Sequence, residues 1–155
     1  MPVTILEART KKQISEAKSL FLEYAKSLNF DLCFQDFDKE LDSLPGDYSP
    51  PEGRLLIVKQ NNQVAGCVAL RKFEDNICEM KRLYVRPEFR GFRLGRILAE
   101  RIIEEAKSIG YKKMCLDTVP SMKEAIQLYK NLGFYEIKPY RFNPQPGAIF
   151  MELEL

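Results

Sequence analysis

The run MKRLYVRPEFRGFRLGRILAE, from Met80 to Glu100, reads as a strand that stops at Pro87, a short loop ending in Arg90-Gly91, and a helix from about Phe92. The first turn of that helix carries Arg93 and Arg96. Cations there oppose the positive end of the helix dipole, where an Asp or Glu would contribute about 0.3–1 kcal/mol. An anion bound at the helix start resolves the conflict. The free N–H groups and the arginines then act on the same phosphates, and Gly91 and Gly95 let the backbone approach them. The bland alternative is a solvated basic face with Gly91 serving a turn. No GxxxxGK[ST] and no GxGxxG is present, so the phosphorylated ligand is held neither as an NTP in a P-loop nor as a dinucleotide on a Rossmann turn.

Charge is divided along the chain. Lys81 to Arg101 holds seven basic and two acidic residues, and Phe30 to Glu52 holds seven acidic and one basic, although the whole chain is only +2. Two different partners are indicated, and the small net charge does not by itself point to nucleic acid. The chain has no histidine, which removes Ser-His and Cys-His nucleophile pairs, histidine bases and histidine metal ligands. Proton transfer must use Glu, Asp, Tyr, Lys, Cys, main chain or water. Cys33, Cys67, Cys78 and Cys115 lack CxxC spacing and read as buried free thiols, with no metal site expected. Cys78 beside Glu79 could suggest thiol chemistry, but neighbours on a strand face opposite ways and do not form a pair.

These residues need a frame. At 155 residues, one domain spanning 1–155 is expected, long enough to bury a core without disulfides. No basic-then-apolar leader opens the chain and no segment approaches about 18 apolar residues, so a reduced, cytoplasmic protein without membrane partners fits. Strands are expected at Val3 to Ala8, Leu55 to Lys59, Val64 to Phe73, Ile77 to Val85, Lys113 to Asp117, Phe134 to Tyr140 and Ile149 to Leu153. Asn61-Asn62 supplies a hairpin turn. Helices are expected at Lys11 to Leu28, Phe34 to Leu44, Leu94 to Ile109 (stopped by Gly110) and Ser121 to Leu132, the last with a capping box from Ser121 and Glu124. The order β-α-α-β-β-β-α-β-α-β-β gives a mixed α/β single domain.

The stretch Glu79 to Gly95, its helix, and the later AIQLYKNLGF resemble the GNAT superfamily of N-acetyltransferases. That family uses Arg/Gln-x-x-Gly-x-Gly/Ala at a strand–loop–helix junction to hold the pyrophosphate of acetyl-CoA. The matching positions here are Arg90, Arg93 and Gly95, with Arg93 in place of the middle glycine. The resemblance covers about Leu55 to Phe134. It implies an α/β (α+β) GNAT-like fold, a mixed, mostly antiparallel sheet flanked by about four helices, and acetyl-CoA as acyl donor. The main chain of Leu83, Tyr84 and Val85 would pair with the pantetheine arm. The amides of Gly91, Phe92, Arg93, Leu94, Gly95 and Arg96, with Arg90, would take the pyrophosphate. Tyr129 matches the family's general acid toward the departing thiolate. Met122 stands where many relatives carry Asn, and a methionine side chain lacks the asparagine's donor and acceptor.

An amine nucleophile must be neutral to attack, so a base is required. Glu79 is the best candidate without histidine. It lies six residues before Val85, roughly 20 Å along an extended strand. A partly buried position would raise its pKa. Pairing with Arg71 or Lys81 as a structural ion pair is the alternative, as a core aromatic is for Tyr129. In this family the first helices and the loops near the closing strands build the acceptor pocket. That points to Phe34, Asp36, Phe37, Tyr48, Arg71 and the Tyr140 to Phe142 stretch. An acidic, aromatic lining favours a cationic amine, on a small molecule or peptide. Polyamine, amino-acid, aminoglycoside and peptide N-terminal acceptors all fit, and a homodimer is possible. Two other classes compete: a non-catalytic acyl-CoA sensor, and a basic module for nucleic acid. The second is disfavoured because the aromatics are not interleaved with the basic run.

Overall fold

The turn Asn61-Asn62 is left-handed at both residues, φ 53° and 65°, the backbone twist that suits a two-residue hairpin. It joins the strands β2 (Arg54–Gln60) and β3 (Gln63–Glu74), around which the rest assembles. The structure is a computed structural model that describes residues 2–28 and 36–155. The remaining elements are β1 (Val3–Glu7), α1 (Lys11–Ser27), α2 (Phe37–Ser43), β4 (Ile77–Val85), α3 (Leu94–Ile109), β5 (Lys113–Thr118), α4 (Lys123–Asn131), β6 (Tyr135–Ile137) and β7 (Ile149–Glu154), with single 3-10 turns at Gly46–Tyr48 and Pro87–Phe89. The sheet order is β1-β2-β3-β4-β5-β7-β6. Every neighbouring pair is antiparallel except β4 and β5.

Helices cover both sheet faces. On one, the stripe Leu94, Leu98, Ile102 and Ala106 of α3 packs with Tyr129 and Leu128 of α4 against Val68, Leu70, Met80, Met114 and Leu116. Burying each large apolar side chain there contributes about 1.5–3 kcal/mol relative to exposure. On the other face, Ala17, Leu20 and Phe21 of α1 meet Phe37 and Leu41 of α2 over Leu55, Ile57, Cys67 and Ala69.

Two helix starts differ from the local reading of their caps: Arg93 lies outside the first turn of α3, and α4 starts late. The α3 helix begins at Leu94, because Arg93 is left-handed (φ 61°) and serves as its N-cap. Arg93 therefore lies at the lip of the helix, and Arg96 alone of the two arginines is inside it. The Ser121–Glu124 capping box does not form. The Met122 amide closes a turn on the Val119 carbonyl, so α4 starts two residues late with no side-chain cap. A capping box does form at Thr10, whose hydroxyl accepts from the Gln13 amide while the Gln13 side chain accepts from the Thr10 amide. It has the same Ser/Thr-x-x-Glu/Gln spacing.

Gly66 is required by packing. A Cβ there would strike the Tyr84 carbonyl on the neighbouring strand, and backbone cannot rotate away as a side chain can. Gly66→Ala is expected to cost about 2–3 kcal/mol, read as a lower urea midpoint at unchanged slope. An unchanged midpoint would contradict this packing.

Candidate active site

The parallel pairing of β4 with β5 is short: Ile77 with Lys113, Cys78 with Met114 and Glu79 with Cys115. Beyond Glu79 the strands part, and β5 continues to pair with β7 instead. On its other side β4 carries a bulge. Tyr84 opposes Cys67 and Lys81 opposes Ala69, so Arg82 and Leu83 share the single partner Val68. Arg82 takes the extra turn in a left-handed conformation, φ 60°. The bulge changes the alternation of side chains. Met80, Leu83 and Val85 pack on the α3 face, whereas Lys81 shares the opposite face with Glu79, two residues before it. The Arg82 guanidinium also lies on the α1–α2 face, 5.2 Å from the Phe37 ring centre. It forms a two-pronged pair with Glu40 of α2, both bonds at 2.9 Å.

The opened gap leads to the start of α3. A cleft of about 520 Å³ runs there, lined by Leu83, Tyr84, Val85, Arg90, Gly91, Arg93, Leu94 and Gly95 on one side and by Ser121 to Ala125 and Leu128 on the other. Two residues of the expected donor-binding set lie off this lining. Phe92 projects to solvent at 46 % exposure, and Arg96 approaches Glu100 of its own helix at 3.7 Å. The first turn of α3 has no acidic residue and no side-chain cap, so its leading amides remain available to an anion. Gly91 is left-handed, φ 92°, and nothing lies within 4 Å of where a Cβ would stand. Such an open, amide-rich cradle fits a pyrophosphate.

Two arginines hold the loop in place. Arg86 donates to Glu23 of α1 from Nε and Nη2, the latter at 2.8 Å, and to the Val64 carbonyl at 3.0 Å. Arg90 donates from Nε to the Val85 carbonyl at 3.0 Å.

At its inner end the cleft continues into a small cavity of about 50 Å³ between β4 and β5. Tyr24, Leu83 and Met122 line both spaces. Among the described residues, Lys81, Arg82, Asp117, Thr118, Asn143 and Tyr129 complete the polar lining. Tyr129 is buried, its ring 5.6 Å from that of Phe134. Burial pushes its hydroxyl upward, so it stays protonated through the neutral range.

Glu79 is 0 % exposed and lies beside this cavity without lining it. Oε1 accepts from Arg71 Nε at 2.8 Å and from Arg141 Nη2 at 2.6 Å, and Oε2 accepts from the Tyr140 hydroxyl at 2.7 Å. Burial alone would raise its pKa. Lys81, Arg71, Arg141 and the Tyr140 bond together outweigh burial and hold the carboxyl below its usual value of 4.5. The expected upward shift is thus reversed, because the strand places the carboxylate among cations.

Arg71 and Tyr140, both expected to touch the acceptor, spend polar groups on Glu79. The Tyr140 ring is wedged 4.9 Å from Phe73 and 5.2 Å from Phe150. Arg71 also borders a separate hollow of about 390 Å³ beneath α2, with Asp36, Glu40, Asp47 and Tyr48. Phe34 lies outside the described residues. The sequence reading missed Asp117 and Asn143 altogether, included Arg141 only within the Tyr140 to Phe142 acceptor stretch, and weighed Lys81 only as an ion-pair partner. The signal for Lys81 and Asp117 was a charged residue directly following a buried apolar one within a strand.

The Acetyltransferase (GNAT) family model matches residues 16–134. The chain belongs to the GNAT acetyltransferase family. It is 39% identical over 155 aligned residues to an uncharacterized N-acetyltransferase of Schizosaccharomyces pombe, covering 99% of this chain and 95% of that one. The fold matches a GNAT-family acetyltransferase from Staphylococcus aureus with a TM-score of 0.81 at 21% identity, over 99% of both chains. It also matches the PaiA N-acetyltransferase of Thermoplasma acidophilum, solved with coenzyme A, with a TM-score of 0.76 at 15% identity over the whole of both chains. Among the described residues of this GNAT acetyltransferase, no helix is long and apolar enough to cross a membrane.

The buried carboxylate gives a signed pH prediction. Because the folded pKa of Glu79 lies below 4.5, its stabilisation is full above that value and fades as pH falls through the folded pKa. Glu79→Gln is expected to lose about 3–5 kcal/mol near neutrality, since it strands Arg71 and Arg141. That deficit should shrink as pH falls below 4.5. Urea melts of both proteins across this range test it; a deficit independent of pH would contradict the assignment.

Proposed function

We propose that this chain transfers the acetyl group of acetyl-CoA to a primary amine of a small molecule or peptide, with both substrates bound together. The observation that carries this reading is the continuity of one space, from the amide cradle at Gly91–Gly95 through the parted strands to the small cavity at Tyr129. Its length suits a long donor whose anionic and reactive ends are far apart. The amides of 91–96 with Arg90 and Arg93 would hold the pyrophosphate, and the main chain of Leu83 to Val85 would pair with the pantetheine arm. Acetyl-CoA supplies the acetyl group as an activated thioester. Tyr129 hands its hydroxyl proton to the departing sulfur. Glu79, first expected to be the base, enters as the buried anion that fixes Arg71, Arg141 and Tyr140 beside the reacting end.

Direct transfer is favoured over an acetylated enzyme by the thiols. Cys67, Cys78 and Cys115 are free and buried. Burial pushes all three upward, Cys115 to about 12, with Glu79 adding to it, so none is a ready nucleophile. Reduced thiols also suit a cytoplasmic setting. The hollow beneath α2 sets Asp36, Glu40 and Asp47 against Lys39 and Arg71, which supports a cationic acceptor by Coulomb attraction.

Two measurements test the reading. Titration calorimetry with acetyl-CoA is expected to show binding that weakens at least about tenfold, or roughly 1.4 kcal/mol, in Gly91→Asp, where the new side chain is strained and its carboxylate faces the phosphates. Initial velocities with a panel of spermidine, amino acids, an aminoglycoside and a free N-terminal peptide should give intersecting reciprocal plots. Parallel plots with a chain heavier by one acetyl group would contradict direct transfer. Binding without release of free CoA to any amine would leave the sensor reading instead.

A further inference from the structure

The cavity between β4 and β5 needs a group that takes a proton near neutrality, and Glu79 is poorly placed for it. The carboxylate is wrapped by two arginines and a tyrosine, is more acidic than usual, and does not line the cavity. The described ionisable side chains that do line it are Tyr24, Lys81, Arg82, Asp117 and Tyr129. Arg82 is permanently charged and committed to Glu40. Tyr24 and Tyr129 are pushed upward by burial and hold their protons. Asp117 accepts a hydrogen bond from Asn143 at 3.1 Å.

Lys81 is different. It is 5 % exposed, sits where β4 has just left β5, and shares the α1–α2 face with Glu79. We propose that Lys81 is the proton acceptor of the transfer, its neutral amine lining the cavity opposite Tyr129 and drawing the proton from the incoming ammonium. This rests on the acetyltransferase reading above and deepens it.

Among the described residues, charged groups on several elements bear on the lysine. On β4 itself are Glu79 and Arg82, on β5 Asp117, on the segment after β6 Arg141, and on β3 Arg71 behind Glu79. Tyr24 of α1, Tyr129 of α4, and Glu40 of α2 behind Arg82 are further groups among the described residues. Burial, Arg82 and Arg141 disfavour the charged form, while Glu79 and Asp117 favour it. The balance brings Lys81 down to about 7, within reach of the neutral form near neutral pH. The bulge at Arg82 contributes directly, because it brings a guanidinium to the same face as the lysine.

The step balances as follows. Lys81 Nζ takes one proton from the acceptor ammonium, freeing the nitrogen lone pair. That pair forms the C–N bond to the acetyl carbon as the C–S bond breaks and its electrons leave on sulfur. Tyr129 gives its proton to the sulfur and is restored by the second proton leaving nitrogen. Lys81 then returns its proton to water, so one proton is released per turnover.

Three readouts test the proposal. In the wild-type chain carrying ¹³C at lysine Cε, with the Lys81 signal assigned by its loss in Lys81→Arg, that signal should titrate near pH 7. With whichever amine of the panel is acetylated, the acidic limb of kcat/KM should share that pKa, and Asp117→Asn should move both downward, since it removes a charge that favours the ammonium. Lys81→Arg keeps the cation but cannot release a proton. It should bind acetyl-CoA as the wild type does yet turn over about 10²–10⁴-fold more slowly. A Lys81 signal titrating near 10, or a Lys81→Arg enzyme with near-normal turnover, overturns the proposal while leaving acetyl transfer standing. A wild-type chain that acetylates no amine fails the underlying reading instead.

Discussion

Two strands that stop pairing set the rest of this structure. The β4–β5 ladder ends at Glu79, and from there β4 follows β3 alone. An unpaired row of N–H and C=O groups in an interior is costly unless something satisfies it. The gap is therefore a binding site before any side chain is considered. The bulge at Arg82 opens beside it, and the left-handed Arg93 lets the chain turn into α3 so that free helix amides face the same space. One irregularity in each element suffices, and both sit on arginine where glycine would be less strained.

The face toward α1 and α2 is built from charge as much as from apolar area. Arg82 with Glu40, Arg86 with Glu23, and Glu79 with Arg71 and Arg141 tie β4 and its neighbours to the covering elements. Arg86 and Glu23 are partly exposed. The buried pairs at Arg82 and Glu79 add little over an apolar packing of the same shape, but each is costly to break from one side. Their consequence is positional: they fix where β4 lies relative to α1 and α2. The opposite face, under α3 and α4, is conventionally apolar.

Much of the frame was legible in the sequence because it depends on local patterns. Ile77 to Val85 and Leu94 to Ile109 match the observed limits, since Pro87, the apolar stripe and Gly110 leave little choice. The basic strand–loop–helix junction was readable for the same reason: arginines at a helix start need an explanation. The bulge was not readable, because it depends on a register against β3 that no local pattern encodes. Without it, the placement of Arg82 beside Lys81 could not be foreseen. The pKa of Glu79 went the wrong way because Arg141, 62 residues later, arrives through the fold, and Tyr140 with it. Ser121 to Glu124 offered a good capping box and lost it to a turn at Val119, while the equivalent Thr10 and Gln13 kept theirs.

The most direct test of this account is amide hydrogen exchange with and without acetyl-CoA, resolved along β4 and the α3 start. If the parted strand and the helix amides receive the donor, the protection gained on binding falls within residues 81–85 and 91–96, while β5 and β7, already paired to each other, change little. Protection gained elsewhere, with those two stretches exchanging as in the free chain, would contradict it.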